Sequence, residues 1–265
     1  MLDVRQHGPV TEVRLTSTIL GRPLYSVAAF YFDGVLFDTG PPRTGRELAA
    51  WARGVEIERI VNTHQHEDHV GGNAFLPSVP ALAPAGALPT IRQAPPLPLY
   101  RRVPFGQPRP AHADPLGDTV STRSHTLQVI PTPGHAPDHV VLLLPQKGWL
   151  IGGDLFLMER AKYVRQIDDV AQWMDSLRAI LAYDFDVLFC GHAGRVPDAK
   201  AAIRRKIAYW EELGEKAREM ADQGHRAEEI RDSLLGNEGL LTYWSRGRFA
   251  KLNLIEQLLA MEISA

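Results

Sequence analysis

From Tyr25 to Phe32 the chain is apolar and rich in β-prone residues, Asp33-Gly34 is a strong turn pair, and Val35 to Phe37 resumes the run. This pattern predicts a β-hairpin that feeds the loop Asp38-Thr39-Gly40. Arg46 to Arg53 reads as a helix ended by Gly54, and Ile57 to Asn62 as a short buried strand that stops at a histidine-rich stretch. Residues 77–115 then hold 11 of the chain's 20 prolines, a density expected to exclude a continuous helix or a central strand there.

Past the proline-rich stretch, Leu127 to Pro131, Val140 to Leu144 and Trp149 to Gly153 are apolar strand candidates, with Pro145 to Gly148 as the turn between the last two. Asp169 to Leu181 has helical spacing, with Val170, Trp173, Leu177, Ile180 and Leu181 on one face, and Val187 to Cys190 is a short strand after it. From Ala199 the pattern turns helical to the end: Ala202, Ile203, Ile207, Trp210 and Leu213 form one stripe, Gly224 breaks it, and 227–235 and 252–261 supply two more helices. Trp210, Tyr243, Trp244 and Phe249 are expected to pack these helices onto the rest, with a homodimer surface as the second reading. A division into 1–198 and a helical extension, 199–265, follows.

With 265 residues and 45% apolar composition the chain can build a substantial core. A formal net charge of −2 gives no overall basic field, so no nucleic-acid partner is expected. The single cysteine, Cys190, excludes an internal disulfide and a cysteine-built metal site, and its place at a strand end reads as core. Met1 to Thr11 lacks the apolar core of a signal peptide, and no run approaches the ~20 apolar residues of a membrane span. A soluble, cytoplasmic protein without a membrane partner is the expectation.

The chemistry concentrates in His64-Gln65-His66-Glu67-Asp68-His69, four metal-ligand candidates within six residues. On a helix His64 and His66 would diverge by about 200°, whereas in an extended loop alternate residues share a face. A loop leaving a strand lets both histidines meet one ion while Asp68 and His69 turn toward another. Three more candidates each end an apolar run: His135 in Thr132-Pro133-Gly134-His135, Asp154 in Gly152-Gly153-Asp154, and His192 in Cys190-Gly191-His192. His7, His112, His125 and His225 stand alone and read as surface or hydrogen-bonded residues.

The string Thr-His-Gln-His-Glu-Asp-His-Val-Gly-Gly-Asn, followed in order by Thr-Pro-Gly-His, Gly-Gly-Asp and Cys-Gly-His, resembles the metallo-β-lactamase superfamily, and within it the glyoxalase II-like hydrolases. The resemblance covers about 25–195 and rests on the combined motif. It implies an α/β fold of the αββα sandwich type with a helical C-terminal extension. It also implies that His64, His66 and His135 hold a first ion, that Asp68, His69 and His192 hold a second, and that Asp154 bridges them. His139 is expected to support the site, Asp38 to be structural beside the metal loops, and Glu67 to face solvent.

With nitrogen and oxygen donors, zinc is the expected metal, with manganese or iron as alternatives. The reaction that follows is hydrolysis of a carboxylic ester, thioester or lactone of a small-molecule substrate by a hydroxide shared between the ions, with Asp68 as the catalytic carboxylate. Rival readings are a phosphodiesterase or nuclease, a mononuclear iron persulfide dioxygenase, and a non-enzymatic binding protein that keeps the fold. A flavo-diiron protein is disfavoured because no room remains for a flavin domain. The proline-rich 77–115 reads equally as a lid and as an irregular surface insertion. Lys162, Tyr163 and Arg165 border the site as substrate-steadying residues or as a solvated face, and Arg246, Arg248 and Lys251 are candidates for holding a thiol substrate.

Overall fold

A computed structural model describes residues 1–261. Strands β1 (Leu2–His7), β2 (Val10–Ile19), β3 (Arg22–Phe32), β4 (Val35–Phe37), β5 (Arg59–Val61), β6 (Ala81–Ala83) and β7 (Asp114–Pro115) follow one another across a seven-stranded sheet. Pairing is antiparallel from β1 to β4 and parallel from β4 to β7. A second sheet of six strands contains β8 (Thr119–Ser121), β9 (Thr126–Pro131), β10 (Val140–Leu144), β11 (Trp149–Gly153), β13 (Val187–Cys190) and β14 (Gly194–Val196), in the order β14-β13-β11-β10-β9-β8. A separate ribbon pairs β12 (Val164–Arg165) with β15 (Phe249–Ala250).

The two-residue period of the strands sorts their side chains into layers. In β3, Val27 and Ala29 join the core under helix α1 (Gly45–Ala52), while Ala28 and Phe30 face inward between the sheets. In β10, Leu142 and Leu144 meet Phe30 and Phe37 in that inner layer, whereas Val141 and Leu143 turn to the helices. A strand covered on both faces has no position left for polar residues, which is why Val140 to Leu144 is continuously apolar. The resulting architecture is an αββα sandwich, as the fold expectation had it.

Helix α2 (Glu67–Val70) lies in the chain between β5 and β6, and α3 (Leu88–Gln93) and α4 (Leu99–Phe105) between β6 and β7; α5 (Val170–Ile180), α6 (Ala199–Asp222), α7 (Ala227–Leu235), α8 (Leu240–Ser245) and α9 (Lys251–Ala260) follow. Helix α5 begins at Asp169, whose carboxylate accepts from Gln172 N at 2.9 Å, a standard N-cap contact. Its face of Val170, Trp173, Leu177 and Ile180 is buried, together with Met174, and Leu181 packs at the edge. The stripe of α6 is buried as its spacing predicts, and one core joins α5, α6, α7 and α9 to the second sheet. Among the described residues, no helix is long and apolar enough to cross a membrane.

Three expectations need correction. Proline density does not exclude an inner strand: Ala81–Ala83 fits between Pro80 and Pro84 and is paired on both sides, by β5 and β7. Three proline-free residues suffice for so short a strand. Helix α8 adds a helix between the two expected at 227–235 and 252–261, and its Tyr243 and Trp244 do not pack inward. Thr242 and Ser245, three residues apart, take the buried face and leave Leu240, Tyr243 and Trp244 outside. Lys251, a candidate for holding a thiol substrate, instead donates to the carbonyls of Leu235 and Asn237 at 2.8 Å each and closes the end of α7.

Lys206 on α6 is fully buried beside the indole rings of Trp210 and Trp173, 4.0 and 5.0 Å from their centroids, with one hydrogen bond, to Met158 O at 3.3 Å. Burial pushes its ammonium down to about 7, while the two aromatic faces favour the charged form and offset part of that cost. Below pH 7 both folded and unfolded chains carry the proton and the full penalty stands. Between pH 7 and about 10.5 the unfolded chain binds it and the folded one does not, so this lysine's destabilisation fades as pH rises. Lys206→Met is expected to raise stability by about 2 kcal/mol at pH 6.5, with the gain shrinking toward pH 10. Urea unfolding of both proteins at the two pH values checks it; a pH-independent difference would contradict the argument.

Candidate metal centre

Strand β5 ends at Val61, the chain bends through Thr63–Gln65, and His66, with extended backbone, leads into α2. The bend, rather than an extended run, brings the His64 and His66 rings together, centroids 4.4 Å apart, so the loop after the strand does let both histidines meet. Asp68 and His69 lie on a single helical turn rather than in the loop, with Val70 N bonded to His66 O at 3.0 Å. His135 leaves the loop after β9, Asp154 caps the end of β11, and His192 follows β13. All of these termini lie at one edge of the sandwich.

There the seven side chains meet in two quartets. His64, His66, His135 and Asp154 form one, and Asp68, His69, Asp154 and His192 the other; within each, one donor atom per residue lies within 4.8 Å of the rest. Asp154 belongs to both, with Oδ1 3.3 Å from His69 Nε2 and Oδ2 3.3 Å from both His135 Nε2 and His192 Nε2. Six of the seven are buried. His64 Nε2, His69 Nε2, His135 Nδ1 and Asp154 Oδ1 are buried and have no hydrogen-bond partner among the described residues. Unpaired buried polar atoms are costly and rare; His64 Nε2, His69 Nε2 and Asp154 Oδ1 are left unpaired on the side of the quartets, as a cage for cations requires, while His135 turns Nε2 rather than Nδ1 toward Asp154.

Glycines make room for the cage. Gly134 adopts φ +129° against α5, where a Cβ would lie 2.3 Å from Trp173 Cα, so only glycine lets the His135 loop pack there. A Cβ on Gly191 would come within 2.8 Å of Asp154 Oδ1 and 2.9 Å of His69 Cε1, filling the second quartet.

Burial, then the neighbouring histidine at position 69, drives His64 well below its ordinary pKa; burial and the Arg165 guanidinium do the same to His66. Both stay neutral, the form that donates to a metal. At His69 burial works downward, but Asp154, Asp38 and Asp68 overcome it and hold the imidazole well above its usual range. For Asp154 burial works upward, and His192 and His69 hold the carboxyl well below the carboxylate range. A cation held by the second quartet would have to displace one proton, that on His69 Nε2.

Supporting groups orient the donors. Asp38, in the left-handed region at φ +59°, accepts from Thr63 N at 2.8 Å and Thr63 Oγ1 at 2.9 Å and faces His69 Nδ1 at 2.7 Å. This fixes which His69 nitrogen points at the cage. Asp38→Asn is expected to weaken cation binding in the second quartet by ~10–100-fold, measured by metal titration; unchanged affinity would show the contact to be idle. His139 pairs its Nδ1 with Thr132 Oγ1 at 2.8 Å and accepts from Asp154 N at 3.0 Å. Burial, with His135 beside it, pushes its imidazole down to about 3, which keeps Nε2 free to accept.

Other residues depart from expectation. Glu67 does not face solvent: it is buried and ion-paired to Arg101 of α4. Arg165 is no solvated residue either. Its guanidinium is held by Asp168 at 2.5 and 2.8 Å and reaches His66 Nε2 and His135 O, because β12 is pinned by β15. Tyr163 stacks on Phe249, centroids 5.5 Å apart, and Lys162 is exposed. Tyr25, which no motif marks, directs its hydroxyl at Asp68 Oδ2 and lies 2.9 Å from His192 Nε2. Its only sequence signal was a position at the start of a predicted strand. His7, His112, His125 and His225 lie outside the cage, paired with Glu12, Asp114, Asp33 and Glu229.

Residues 27–192 match the sequence profile of the metallo-beta-lactamase superfamily. Among curated proteins the chain is similar to the thioesterase pkgB of Emericella nidulans, 28% identical over 187 residues, covering 65% of this chain and 49% of that protein. It is also similar to an atrochrysone carboxyl ACP thioesterase of Passalora fulva, 31% identical over 164 residues, 60% of this chain and 43% of that protein. The chain thus spans about half the length of these relatives or less. A beta-lactamase-like protein 2 homolog of Caenorhabditis elegans is 28% identical over 233 residues, 85% of this chain and 73% of that one. Among solved structures, a metallo-beta-lactamase family protein of Thermus thermophilus shares the fold with TM-score 0.70 at 19% identity, covering 94% of this chain and 91% of the other. A profile match over well over half its length, on a fold and donor set that agree with it, shows that this chain belongs to the metallo-β-lactamase superfamily.

Proposed function

We propose that the chain is a dinuclear metal-dependent hydrolase of carboxylic esters or thioesters. The observation that carries this is the pair of donor quartets joined at Asp154, with His64 Nε2, His69 Nε2 and Asp154 Oδ1 buried and left without hydrogen bonds. His64, His66 and His135 would hold one ion, Asp68, His69 and His192 the other, and Asp154 both; nitrogen and carboxylate donors suit zinc. When bound, such ions supply water made nucleophilic near neutral pH and polarise the carbonyl and the leaving atom of the substrate.

Asp68 is the chain's own proton carrier. Burial would raise its pKa, but His69 beside it holds the carboxyl below its ordinary value, so it is an anion able to take a proton and pass it to a leaving oxygen or sulfur. The surroundings favour an apolar acyl group. Helix α4 packs against the β2–β3 hairpin and α8, and Leu99, Leu240 and Tyr243 stand 70%, 88% and 72% exposed on these elements. Two relatives bear thioesterase names, which supports the same substrate class.

The segment around α4 acts as a lid in this reading. Phe105 packs edge-on against Tyr25, centroids 4.5 Å apart, and Arg43 holds Val103 O at 2.6 Å. Deleting 95–110 is expected to lower turnover far more than metal content, and equal loss of both would count against a lid. The function itself is tested by supplying a p-nitrophenyl acyl ester, an acyl thioester and bis-p-nitrophenyl phosphate side by side. Turnover of the first two, abolished by a chelator and restored by zinc, is expected. Turnover confined to the phosphate diester, or activity indifferent to the chelator, would overturn the proposal.

A further inference from the structure

Resting on the dinuclear reading, we infer that Arg14, clamped by Glu12, is a positioning residue for the second quartet: the two form a brace on β2 that sets the loop carrying His192. Two other donors of the cage are oriented through their second ring nitrogen, His64 by Thr63 Oγ1 at 2.9 Å and His69 by Asp38 at 2.7 Å. His192 lacks such a partner. Every polar contact of its ring among the described residues is at Nε2, the atom 3.3 Å from Asp154. Its place is therefore set through its backbone, and there its carbonyl accepts from Arg14 Nη1 at 3.2 Å.

The rest of the guanidinium is spoken for. Glu12 Oε1 accepts from Arg14 Nε at 2.8 Å and faces Nη2 at 2.7 Å, while Glu12 Oε2 lies 2.8 Å from His7 Nε2. Only a fork can hold Glu12 and span to His192 at once. The pair sits where the strand's alternation asks for apolar residues: Val10, Glu12 and Arg14 share the face of β2 that looks between the sheets, with Glu12 opposite Phe30 and Arg14 opposite Ala28. A buried ion pair is a poor way to gain stability, and a break in the local pattern is expected where function demands it. Ala28, on the same rung as Arg14, donates its N–H to Gly191 O at 2.7 Å, so one rung of β2 and β3 pins both residues of the loop. Gly194, at φ +72°, leaves the space the brace fills: a Cβ there would lie 2.7 Å from Arg14 Nη2 and 3.1 Å from both Glu12 oxygens.

Zinc binding by the metal-stripped chain, read by competition with a chromogenic chelator, is compared for the wild type, Arg14→Met, Arg14→Lys and the control Arg5→Met, which removes an exposed pairing with Asp3 on the neighbouring strand. Urea unfolding of each stripped protein is recorded beside it. Arg14→Lys keeps the charge and can pair with Glu12 but lacks the fork that reaches His192 as well. In both Arg14 variants one zinc ion is expected to bind about tenfold or more weakly while the other keeps wild-type affinity, and Arg14→Lys is expected to unfold close to the wild-type urea midpoint. Added to His192→Ala, Arg14→Met is expected to weaken the remaining ion no further, because it acts through the side chain already lost. Should Arg14→Met not fold, the Arg14→Lys comparison decides alone. Wild-type affinity for both ions in Arg14→Lys, or losses spread over both ions in step with a lowered unfolding midpoint, overturns the brace and leaves the dinuclear reading intact. Fewer than two ions in the wild type overturns both.

Discussion

Asp154→Asn is expected to abolish hydrolysis, with kcat/KM falling by ~10³-fold or more, a loss of about 4 kcal/mol in transition-state stabilisation. The change keeps the shape of the side chain and replaces one carboxylate oxygen with an N–H donor. Asp154 is the member common to both quartets, and each of its oxygens faces a histidine at 3.3 Å. Placing N–H bonds there points positive charge at a cation and removes the negative charge that holds it. Both sites are therefore expected to weaken together, whereas replacing a donor of one quartet spares the other. Steady-state kinetics beside metal analysis separates these outcomes, and a variant that keeps two ions and half its turnover would refute the shared role.

Arg165→Met is expected to cost ~3–5 kcal/mol of stability, as breaking a buried ion pair from one side does. Asp168, itself buried, takes two guanidinium contacts at 2.5 and 2.8 Å and the Arg165 amide at 2.7 Å. Without the guanidinium its carboxylate stays buried with the amide alone. The same group braces His135 O and touches His66, so the three-histidine quartet is expected to loosen as well. Arg165→Met combined with Asp168→Leu removes both charges and is expected to recover most of the stability but not the bracing. Urea unfolding of the single and double variants checks this; a single-variant loss below 1 kcal/mol would contradict the buried-pair argument.

The parts of the fold read correctly from sequence are those whose physics is local. Strands β10 and β11 carry unbroken apolar runs with a turn between them, and α5 and α6 carry 3.6-residue stripes that bury as the period requires. All seven cage residues were visible because their chemistry is concentrated in short motifs at the ends of such runs. What escaped depended on contacts far apart in the chain. Arg165 reaches His66 across 99 residues and Tyr25 reaches His192 across 167, and neither sits in a motif. Glu67 was misjudged because its burial comes from Arg101, on a helix in the proline-rich stretch whose position no local pattern announces. The first hairpin, β1 with β2, was likewise missed: its outer strand is mostly exposed and lacks the apolar alternation that marks a strand.

Seven side chains drawn from four segments, each following a strand, form one cage for two cations in this account. Calorimetric titration of the metal-stripped chain with zinc tests it most directly. Two equivalents taken up per chain, with protons released to solvent as His69 is deprotonated on binding, is the predicted result. A single equivalent, or uptake that leaves His64 and His69 equally dispensable, would contradict it.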